Sequence, residues 1–297
     1  MSVSVVLVSY NTCGHLRRCL GSLVNQSDDV IVVDNASTDG SVEMVAAEFP
    51  TVTLIRNPRN VGFGAANNQG LAVAQHEVVL LLNSDTEAAP GAVNELALHF
   101  VNGVSAAGGA LVDEAGAVQP SCCNALTAWA VFCEQTLLMK AFPRSKLFNP
   151  YWVTHRLPTD RASEVEQVMG ACLMVSRQAR FDESFFLYCE DTELCHRLRQ
   201  SGKILYVPTA RFQHALGAST SSNRAWAIGM YNAGKVRFFQ LHRPCQTGLV
   251  RACNWWGALL RESLYRLKRK PDMVAMFQQV RRWNSADPPL PLDAREP

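Results

Sequence analysis

Three short apolar runs in the first third of this 297-residue chain end in polar residues of the kinds that bind nucleotides. These endings are Ser9-Tyr10-Asn11, Asp34-Asn35-Ala36-Ser37 and Asn83-Ser84-Asp85. An aromatic ring can stack on a base, and a carboxylate such as Asp34 can accept a hydrogen bond from a base N–H or a ribose hydroxyl. The three endings therefore predict a nucleotide site.

Asp34 and Asp85 each also have a simpler interpretation. The segment 34–37 has ordinary turn chemistry, and Asp85 is suited to cap a helix that begins near Pro90. The functional interpretation of Asp85 is a carboxylate that reaches a hard cation bound to a diphosphate. The residues alone leave both interpretations open.

The elements that must position these residues alternate along the chain. Runs of β-branched residues or leucine predict strands at 3–8, 30–33, 52–55 and 78–82. Segments of helical length lie between them, at 15–25, 41–48 and 64–74. This order predicts a mainly parallel, twisted α/β sheet with flanking helices and right-handed crossovers, whose ligands bind at the carboxyl ends of the strands.

The second half of the chain is less regular. Residues 110–160 have no clean period and are interpreted as a loop-rich insertion on the acceptor side. A strand at 168–175, an aromatic turn at 181–189, a helix at 191–200 and a strand at 204–207 that Pro208 ends are predicted next. We expect a catalytic domain at 1–220, a helical C-terminal extension at 221–283, and disorder in the proline-rich segment 284–297.

Composition narrows the class of protein. A formal net charge of +2 is too small to attract nucleic acid by itself. The ten cysteines are scattered through predicted strands and helices, which favours the reduced thiols of a cytoplasmic protein. The longest apolar stretches are far shorter than a membrane span.

The order of the motifs resembles glycosyltransferase family 2, which has the GT-A fold, and more narrowly its rhamnosyltransferase-like branch. The words that carry the resemblance are Val-Ser-Tyr-Asn at 8–11, Val-Val-Asp-Asn-Ala-Ser-Thr-Asp-Gly at 32–40, Asn-Val-Gly-Phe-Gly-Ala-Ala-Asn-Asn-Gln-Gly at 60–70, Leu-Leu-Asn-Ser-Asp at 81–85, Asp-Glu-Ser-Phe-Phe-Leu-Tyr-Cys-Glu-Asp-Thr-Glu-Leu-Cys-His-Arg at 182–197, and His214 before Gly217. The match covers about residues 2–240, and few other families place these words in this order.

The resemblance implies a nucleotide-sugar donor site. Its residues would be Ser9, Tyr10, Asn11, Asp34, Asn35, Asn60, Gly62, Phe63, Gly64, Asn67, Asn83, Ser84 and Asp85. Tyr10 and Asp34 would hold the base and ribose, and residues 60–64 would form a loop under the donor. Glycine in that loop is expected to let the backbone approach a phosphate or sugar closely.

The resemblance also implies a divalent cation, Mg²⁺ or Mn²⁺. Asn83-Ser84-Asp85 takes the place of the family's Asp-x-Asp motif, whose last carboxylate binds the metal that bridges to the diphosphate. The amide of Asn83 is a poorer metal ligand than the usual carboxylate. His214 is implied as a further ligand, although a lone histidine is more often structural.

Glu190-Asp191 matches the position of the family's general base. Asp191 would take the proton, and Glu190 and Tyr188 would lie on the acceptor side. The alternative is that Asp191 caps the following helix. Both roles are compatible, because a helix N-terminus favours the ionised carboxylate that a base requires.

The resemblance predicts an inverting enzyme that moves a sugar from a dTDP-sugar, such as dTDP-rhamnose, or a UDP-sugar to a saccharide or glycolipid acceptor in cell-surface polysaccharide biosynthesis. A sugar-nucleotide pyrophosphorylase is the alternative enzyme, but residues 9–12 are not its glycine-rich basic loop. A non-catalytic binding protein is the other alternative. It would not require both Asp85 and Asp191.

Residues 251–270 combine tryptophans and leucines at helical spacing with a basic cluster. Such a helix is suited to peripheral contact with anionic lipid on the inner face of the cell membrane. Packing on the catalytic domain or across a homodimer is the alternative.

Overall fold

A nine-stranded mixed sheet forms the centre of the protein in the computed structural model, which describes residues 2–215 and 224–285. The strands are β1 Val3–Ser9, β2 Asp29–Asp34, β3 Thr53–Arg56, β4 Val78–Asn83, β5 Thr86–Ala88, β6 Val104–Val112, β7 Cys122–Cys123, β8 Ser163–Val165, β9 Gln167–Val168, β10 Cys172–Ser176 and β11 Lys203–His214. The helices are α1 Cys13–Leu23, α2 Ser41–Glu48, α3 Phe63–Val73, α4 Ala92–Leu98, α5 Ala128–Gln135, α6 Leu138–Ala141, α7 Glu190–Leu198, α8 Arg224–His242, α9 Thr247–Leu267 and α10 Pro271–Trp283. The sheet order is β3-β2-β1-β4-β10-β6-β11-β5, with β8 paired to β11, while β7 and β9 form a separate two-stranded sheet.

The first half of the sheet confirms the predicted parallel α/β architecture. β1 pairs in parallel with β2 and β4, and β2 pairs in parallel with β3. Side chains of β1 alternate between two cores: Val5 and Leu7 belong to the same core as Leu16 of α1, whereas Val6 belongs to the core that contains Leu71 of α3. A sheet covered on both faces requires such continuously apolar strands.

The second half of the sheet departs from the parallel pattern. β10 lies between β4 and β6 and is antiparallel to both, while β11 is parallel to β6. As a result, the first residues of β10 and the last residues of β4 and β11 lie at the same edge of the sheet.

Two strand predictions in this half are wrong. The predicted strand at 168–175 is divided into β9 and β10 by a turn at residues 169–171. The predicted strand at 204–207 continues past Pro208 to His214. The pairing of β11 with β6 shifts register between Val207 and Arg211, and this irregularity accommodates a proline that has no N–H for the ladder.

The segment 110–160 contains more regular structure than the predicted loop-rich insertion. Its first residues complete β6, and α5 and α6 follow. The Thr127 side chain caps α5 by accepting a hydrogen bond from the Ala130 N–H at 3.1 Å.

The C-terminal helices α8, α9 and α10 confirm the predicted helical pattern. Helix α9 packs against α5 and α10, and α8 packs against both α9 and α10. The predicted helix start at residue 221 lies outside the described residues, as does residue 286 onward of the predicted disordered end. None of the described helices is both long enough and apolar enough to span a bilayer.

Helix α3 packs so closely on β1 that Gly70 should not tolerate a methyl group. A Cβ atom at Gly70 would overlap Cγ1 of Val6, whereas a Cβ at Gly21 of α1 meets nothing within 4 Å. We expect Gly70→Ala to destabilise the protein by about 1–3 kcal/mol through overpacking, and Gly21→Ala to stabilise it by up to about 1 kcal/mol through helix propensity. Urea unfolding of both variants measures this. Equal effects of the two substitutions would contradict the packing seen here.

Candidate active site

The carboxyl ends of β2, β1 and β4 bring the predicted donor residues together. Ser9 is the register partner of Asp34, and Val8 is the partner of Asn83. Adjacent strands lie about 4.8 Å apart, so the three polar endings fall within roughly 10 Å of one another.

Asp34 has an oxygen that its own surroundings leave unpaired. Its Oδ1 accepts a hydrogen bond from the Ser37 N–H at 2.9 Å, which is the turn interaction considered above. Its Oδ2 is buried and has no hydrogen-bond partner among the described residues. Because an unpaired buried oxygen is costly, this atom is suited to accept a hydrogen bond from a ligand N–H or hydroxyl.

Tyr10 and Asn11 follow β1 directly. Tyr10 is half-buried at the edge of the sheet. Asn11 has a left-handed φ of 52°, and its Oδ1 accepts a hydrogen bond from the Thr38 N–H at 2.8 Å. Asn11 therefore fastens the loop after β1 to the loop after β2, and so fixes where Tyr10 can lie.

Ser9 and Ser84 lie beneath the site. The Thr12 hydroxyl is 2.9 Å from the Ser84 hydroxyl and 3.3 Å from the Ser9 hydroxyl, and all three residues are buried. These contacts join the end of β1 to the end of β4 and fix the floor under the predicted donor position.

The loop at residues 60–64 is held by amide side chains. Asn35 donates from Nδ2 to the Gly62 carbonyl at 3.2 Å, and Asn60 Oδ1 accepts from the Gly62 N–H at 3.0 Å. Asn67 donates from Nδ2 to the Phe63 carbonyl at 3.0 Å. These hydrogen bonds from side chains to the backbone therefore fix the conformation of the loop.

The glycines of this loop have a packing role in addition to the predicted approach to a phosphate or sugar. Gly62 has a φ of 93°, and a Cβ there would lie 2.6 Å from the Phe186 carbonyl oxygen. At Gly64 a Cβ would lie 3.0 Å from Cβ of Phe181. Both glycines allow the loop to pack against the segment that leads into α7, which brings the donor and acceptor sides together.

Asp85 and His214 meet because β5 is antiparallel to β11. This pairing places His214 opposite Thr86, next to Asp85 in the chain. His214 Nε2 lies 3.5 Å from Asp85 Oδ1, and the two side chains are 5% and 8% exposed. The helix-cap interpretation of Asp85 is wrong, because α4 begins at Ala92 with Gly91 at its N-cap.

A residue far away in sequence fixes the tautomer of His214. Its Nδ1 is 3.0 Å from Oε1 of Gln119, which can only accept, so Nδ1 carries a hydrogen and Nε2 is the ring nitrogen that faces Asp85. The Gln119 amide in turn donates to the His214 carbonyl at 2.9 Å. Two neighbouring ligands that are each about 2.1 Å from one ion lie about 3 Å apart, so this pair fits joint ligation of a cation.

The described residues offer no cluster of three or more His, Cys, Asp or Glu side chains that could hold a metal. A cation at Asp85 and His214 would therefore need oxygen ligands from a diphosphate and from water, which is how Mg²⁺ is usually bound beside phosphates.

Asp191 is the second residue of α7 and lies beside the turn between β9 and β10. Its Oδ2 accepts from the Gly170 N–H at 2.8 Å, and its Oδ1 accepts from the Thr192 N–H at 2.7 Å. Burial raises the pKa of Asp191, and these hydrogen bonds oppose the rise. The residue thus stabilises the first turn of the helix without occupying the N-cap, which is Cys189.

Glu190 next to it is more deeply buried. It is 5% exposed, and its Oε2 has no hydrogen-bond partner in the described part of the chain. Burial, and then the charge of Asp191, raise the pKa of Glu190 well above its usual range. Because Asp191 accepts from the Gly170 and Thr192 N–H groups while Glu190 Oε2 has no partner in the described part of the chain, a proton on this pair is favoured on Glu190 over Asp191.

The predicted acceptor-side residue Tyr188 has a left-handed φ of 68° and contacts Tyr231 of α8 ring to ring, with centroids 6.1 Å apart.

Sequence reasoning missed three residues of the site: Gln119, Thr12 and Gly170. Only Gly170 had a usable signal, since a glycine inside an apparent strand marks an interruption or a close backbone approach.

This fold and this edge of the sheet define a GT-A glycosyltransferase. The family model for glycosyl transferase family 2 matches residues 4–119. An N-acetylglucosaminyl-diphospho-decaprenol L-rhamnosyltransferase of Mycobacterium tuberculosis is 28% identical over 282 residues, which are 88% of this chain and 88% of the relative. The chain is therefore similar to glycosyltransferase family 2 over residues 4–119, and to a rhamnosyltransferase over most of its length.

Other relatives agree with this assignment. The succinoglycan biosynthesis protein ExoO of Rhizobium meliloti is 35% identical over 92 residues, 30% of this chain and 26% of that protein. A mannosyltransferase of Pyrobaculum calidifontis, solved with GDP-Man and Mn²⁺, has a TM-score of 0.54 at 18% identity and covers 96% of this chain and 87% of its own. The similarity to the mannosyltransferase structure supports the GT-A fold.

The raised pKa of the buried Glu190 carboxyl predicts a pH-dependent stability. Unfolded Glu190 titrates near pH ~4.3, so above that pH folding takes up a proton, and the free energy of unfolding falls as pH rises toward the raised folded pKa. Glu190→Gln removes this cost, which is about 1.4 kcal/mol for each unit of pKa shift. We expect the variant to match the parent near pH 4 and to become progressively more stable than the parent at higher pH. Melting curves from pH 4 to 9 measure this, and a constant difference would contradict it.

Proposed function

We propose that this protein is an inverting, metal-dependent rhamnosyltransferase that moves L-rhamnose from dTDP-rhamnose to a sugar carried on a lipid diphosphate in cell-surface polysaccharide biosynthesis. The similarity to the mycobacterial enzyme along 88% of both chains is the observation that carries the choice of L-rhamnose and of a lipid-diphosphate acceptor, and the dTDP of the donor rests on the family resemblance. A UDP-sugar donor is the alternative that the experiments below must separate.

The proposed reaction is one displacement. The acceptor hydroxyl loses its proton to Asp191 while its oxygen attacks the anomeric carbon, and the bond from that carbon to the nucleoside diphosphate breaks. Attack opposite to the leaving group inverts the anomeric configuration. Burial supports the role of Asp191, because a raised pKa makes its carboxylate a stronger base than an ordinary aspartate.

The chain's own groups prepare this step. The Gly170 N–H orients the Asp191 carboxylate, and neutral Glu190 avoids a second charge beside it. Asp34 offers its unpaired Oδ2 to the base or ribose. Asp85 and His214 would hold Mg²⁺ or Mn²⁺, which when bound offsets the charge of the departing diphosphate.

Peripheral membrane contact through residues 251–270 is part of the proposal, with a homodimer interface as the alternative. Only half of the tryptophan and leucine side chains in residues 251–270 are exposed, and so available for a membrane or a second subunit. Trp256, Leu260 and Leu267 are 63%, 37% and 82% exposed, whereas Trp255 lies under the Arg281 guanidinium at 5.4 Å. A cytoplasmic location on the inner face of the membrane is consistent with a lipid-linked acceptor.

Substitution of the two neighbouring carboxyl groups identifies the base. We expect Asp191→Asn to lower transfer by about 10² to 10⁴-fold, the usual contribution of a general base, while donor affinity persists. Glu190→Gln is the matched control: it copies the neutral carboxyl and should keep most of the activity. Product formation at saturating dTDP-rhamnose or UDP-sugar and acceptor measures this, with donor titration and melting curves on the same samples. Near-parental turnover of Asp191→Asn would remove Asp191 from the mechanism.

The cation site predicts a graded response. Asp85→Ala should abolish the dependence of nucleotide binding on Mg²⁺ or Mn²⁺, because the ion loses a direct ligand. Gln119→Leu leaves both ligands in place but removes the acceptor that fixes the His214 tautomer, and should weaken metal affinity by about 10- to 100-fold. Calorimetric titration of dTDP with and without metal measures both effects. Full transfer by the parent protein in excess chelator would rule out the metal.

A further inference from the structure

A cavity of about 810 Å³ lies between the segment after α5 and the three C-terminal helices. This volume falls within the roughly 300–1,000 Å³ typical of small-molecule sites. None of the predicted donor, metal or base residues lines it. It therefore needs an occupant other than the nucleotide sugar.

The charges of the cavity select an anion. Among the described residues its lining includes five lysine or arginine side chains and one carboxylate. The cations are Lys140, Arg144, Arg224, Arg261 and Lys268. The carboxylate, Glu134, is already neutralised by the buried Lys235 at 2.8 Å. A concave surface with this imbalance concentrates a positive potential.

Two titrating groups in the wall respond to that environment. Burial lowers the pKa of Arg261, which is hydrogen-bonded to the carbonyls of Glu134 and Gln135 at the end of α5 and makes no ion pair with the described carboxylates. Partial burial, and then the charges of Arg156 and Arg144, lower the pKa of His155. The shift of His155 agrees with an excess of positive charge, whereas that of Arg261 reflects its burial alone.

Much of the remaining wall is apolar. Ile228 of α8, Leu264 of α9, and Phe277 and Val280 of α10 line the cavity together with Leu137. A ligand that satisfies both parts of the wall has an anionic head and a hydrocarbon chain. Inorganic anions would leave the apolar wall uncovered, and a simple hydrocarbon would leave the cations uncompensated.

The cavity lies next to the acceptor side of the active site. Pro120 lines it and directly follows Gln119, whose side chain holds His214. Tyr231 also lines it and contacts Tyr188, two residues before Glu190. At the other end the lining reaches Lys268, beside the exposed Leu267 of α9.

We propose that this cavity is the binding site for the diphosphate and the first isoprenoid units of the lipid-linked acceptor. The proposal rests on the proposed function for the identity of the acceptor. The cations bind the diphosphate, the apolar wall of α8, α9 and α10 covers the chain, and the sugar extends past Tyr231 toward Asp191. The rest of the chain leaves beside the exposed apolar residues of α9.

Farnesyl diphosphate serves as a probe that carries both parts of the ligand and no sugar. Calorimetric titration is carried out on the full chain with saturating dTDP and Mg²⁺, which occupy the donor site. We expect farnesyl diphosphate to bind under these conditions, and inorganic diphosphate and farnesol each to bind at least tenfold more weakly. Displacement of farnesyl diphosphate by dTDP, or equal affinity for inorganic diphosphate, would overturn the proposal.

Charge reversal distinguishes the cavity from general attraction by a basic surface. Lys140→Glu with Arg144→Glu should weaken farnesyl diphosphate binding at least tenfold and leave dTDP binding unchanged. Arg269→Glu with Lys270→Glu is the matched control, because these exposed cations follow Lys268 but do not line the cavity. Equal losses in the two double variants would overturn the proposal, and melting curves verify that both are folded.

The proposed function and the cavity can fail separately. If no nucleotide sugar is a donor, the calorimetric result still decides whether the cavity binds a lipid diphosphate. If transfer occurs, Lys140→Glu with Arg144→Glu should raise the KM for a lipid-diphosphate acceptor at least tenfold and leave the KM for dTDP-rhamnose unchanged. An unchanged acceptor KM would contradict the assignment.

Discussion

The active site depends on one antiparallel pairing, that of β10 with β4. Cys172 pairs with Leu82, so β10 begins where β4 ends. The Asn83 N–H donates to the Ala171 carbonyl at 3.1 Å, and the preceding Gly170 N–H donates to Asp191 at 2.8 Å. The backbone of two adjacent residues, Gly170 and Ala171, therefore connects the proposed metal motif to the proposed base. A parallel β10 would have placed Gly170 at the opposite edge of the sheet, away from the predicted nucleotide site.

The parts of the site that sequence predicts are those in which chemistry follows directly on a strand. Asp34 and Asp85 could be found because each ends an apolar run, and parallel strands bring their carboxyl ends to one edge. The contact of His214 with Gln119 could not be found, since it joins residues 95 positions apart through pairings that no local pattern encodes. For the same reason the continuation of β11 past Pro208 was missed: the irregularity in register that permits it belongs to the pairing with β6.

The energetic cost of the site is visible in its unpaired atoms. In the described residues, four buried side-chain nitrogen or oxygen atoms lack a hydrogen-bond partner, and two of them are Asp34 Oδ2 and Glu190 Oε2. Such atoms are expected where a ligand supplies the missing partner or where a proton must be held. For Glu190 the cost is lower in its protonated form, which its raised pKa favours, whereas Asp191 has the backbone donors that favour a carboxylate. The difference in donors, more than the difference in burial, assigns the two carboxyl groups to different roles.

The C-terminal helices contact both the cavity wall and the loop that leads into α7. Gln135 of α5 donates to Asn232 of α8 and Asn254 of α9 at 3.3 and 3.2 Å, so a buried amide cluster fixes the helices to the segment that forms the cavity wall. Gly234 of α8 packs on the active-site loop so closely that a Cβ would lie 2.5 Å from the Tyr188 carbonyl oxygen. Helix α8 therefore touches the loop that carries Glu190 and Asp191 and also lines the cavity through Tyr231. Since directional hydrogen bonds and a contact without room for a methyl group tolerate little displacement, helix α8 would fix the proposed lipid-bound acceptor and the proposed base relative to each other.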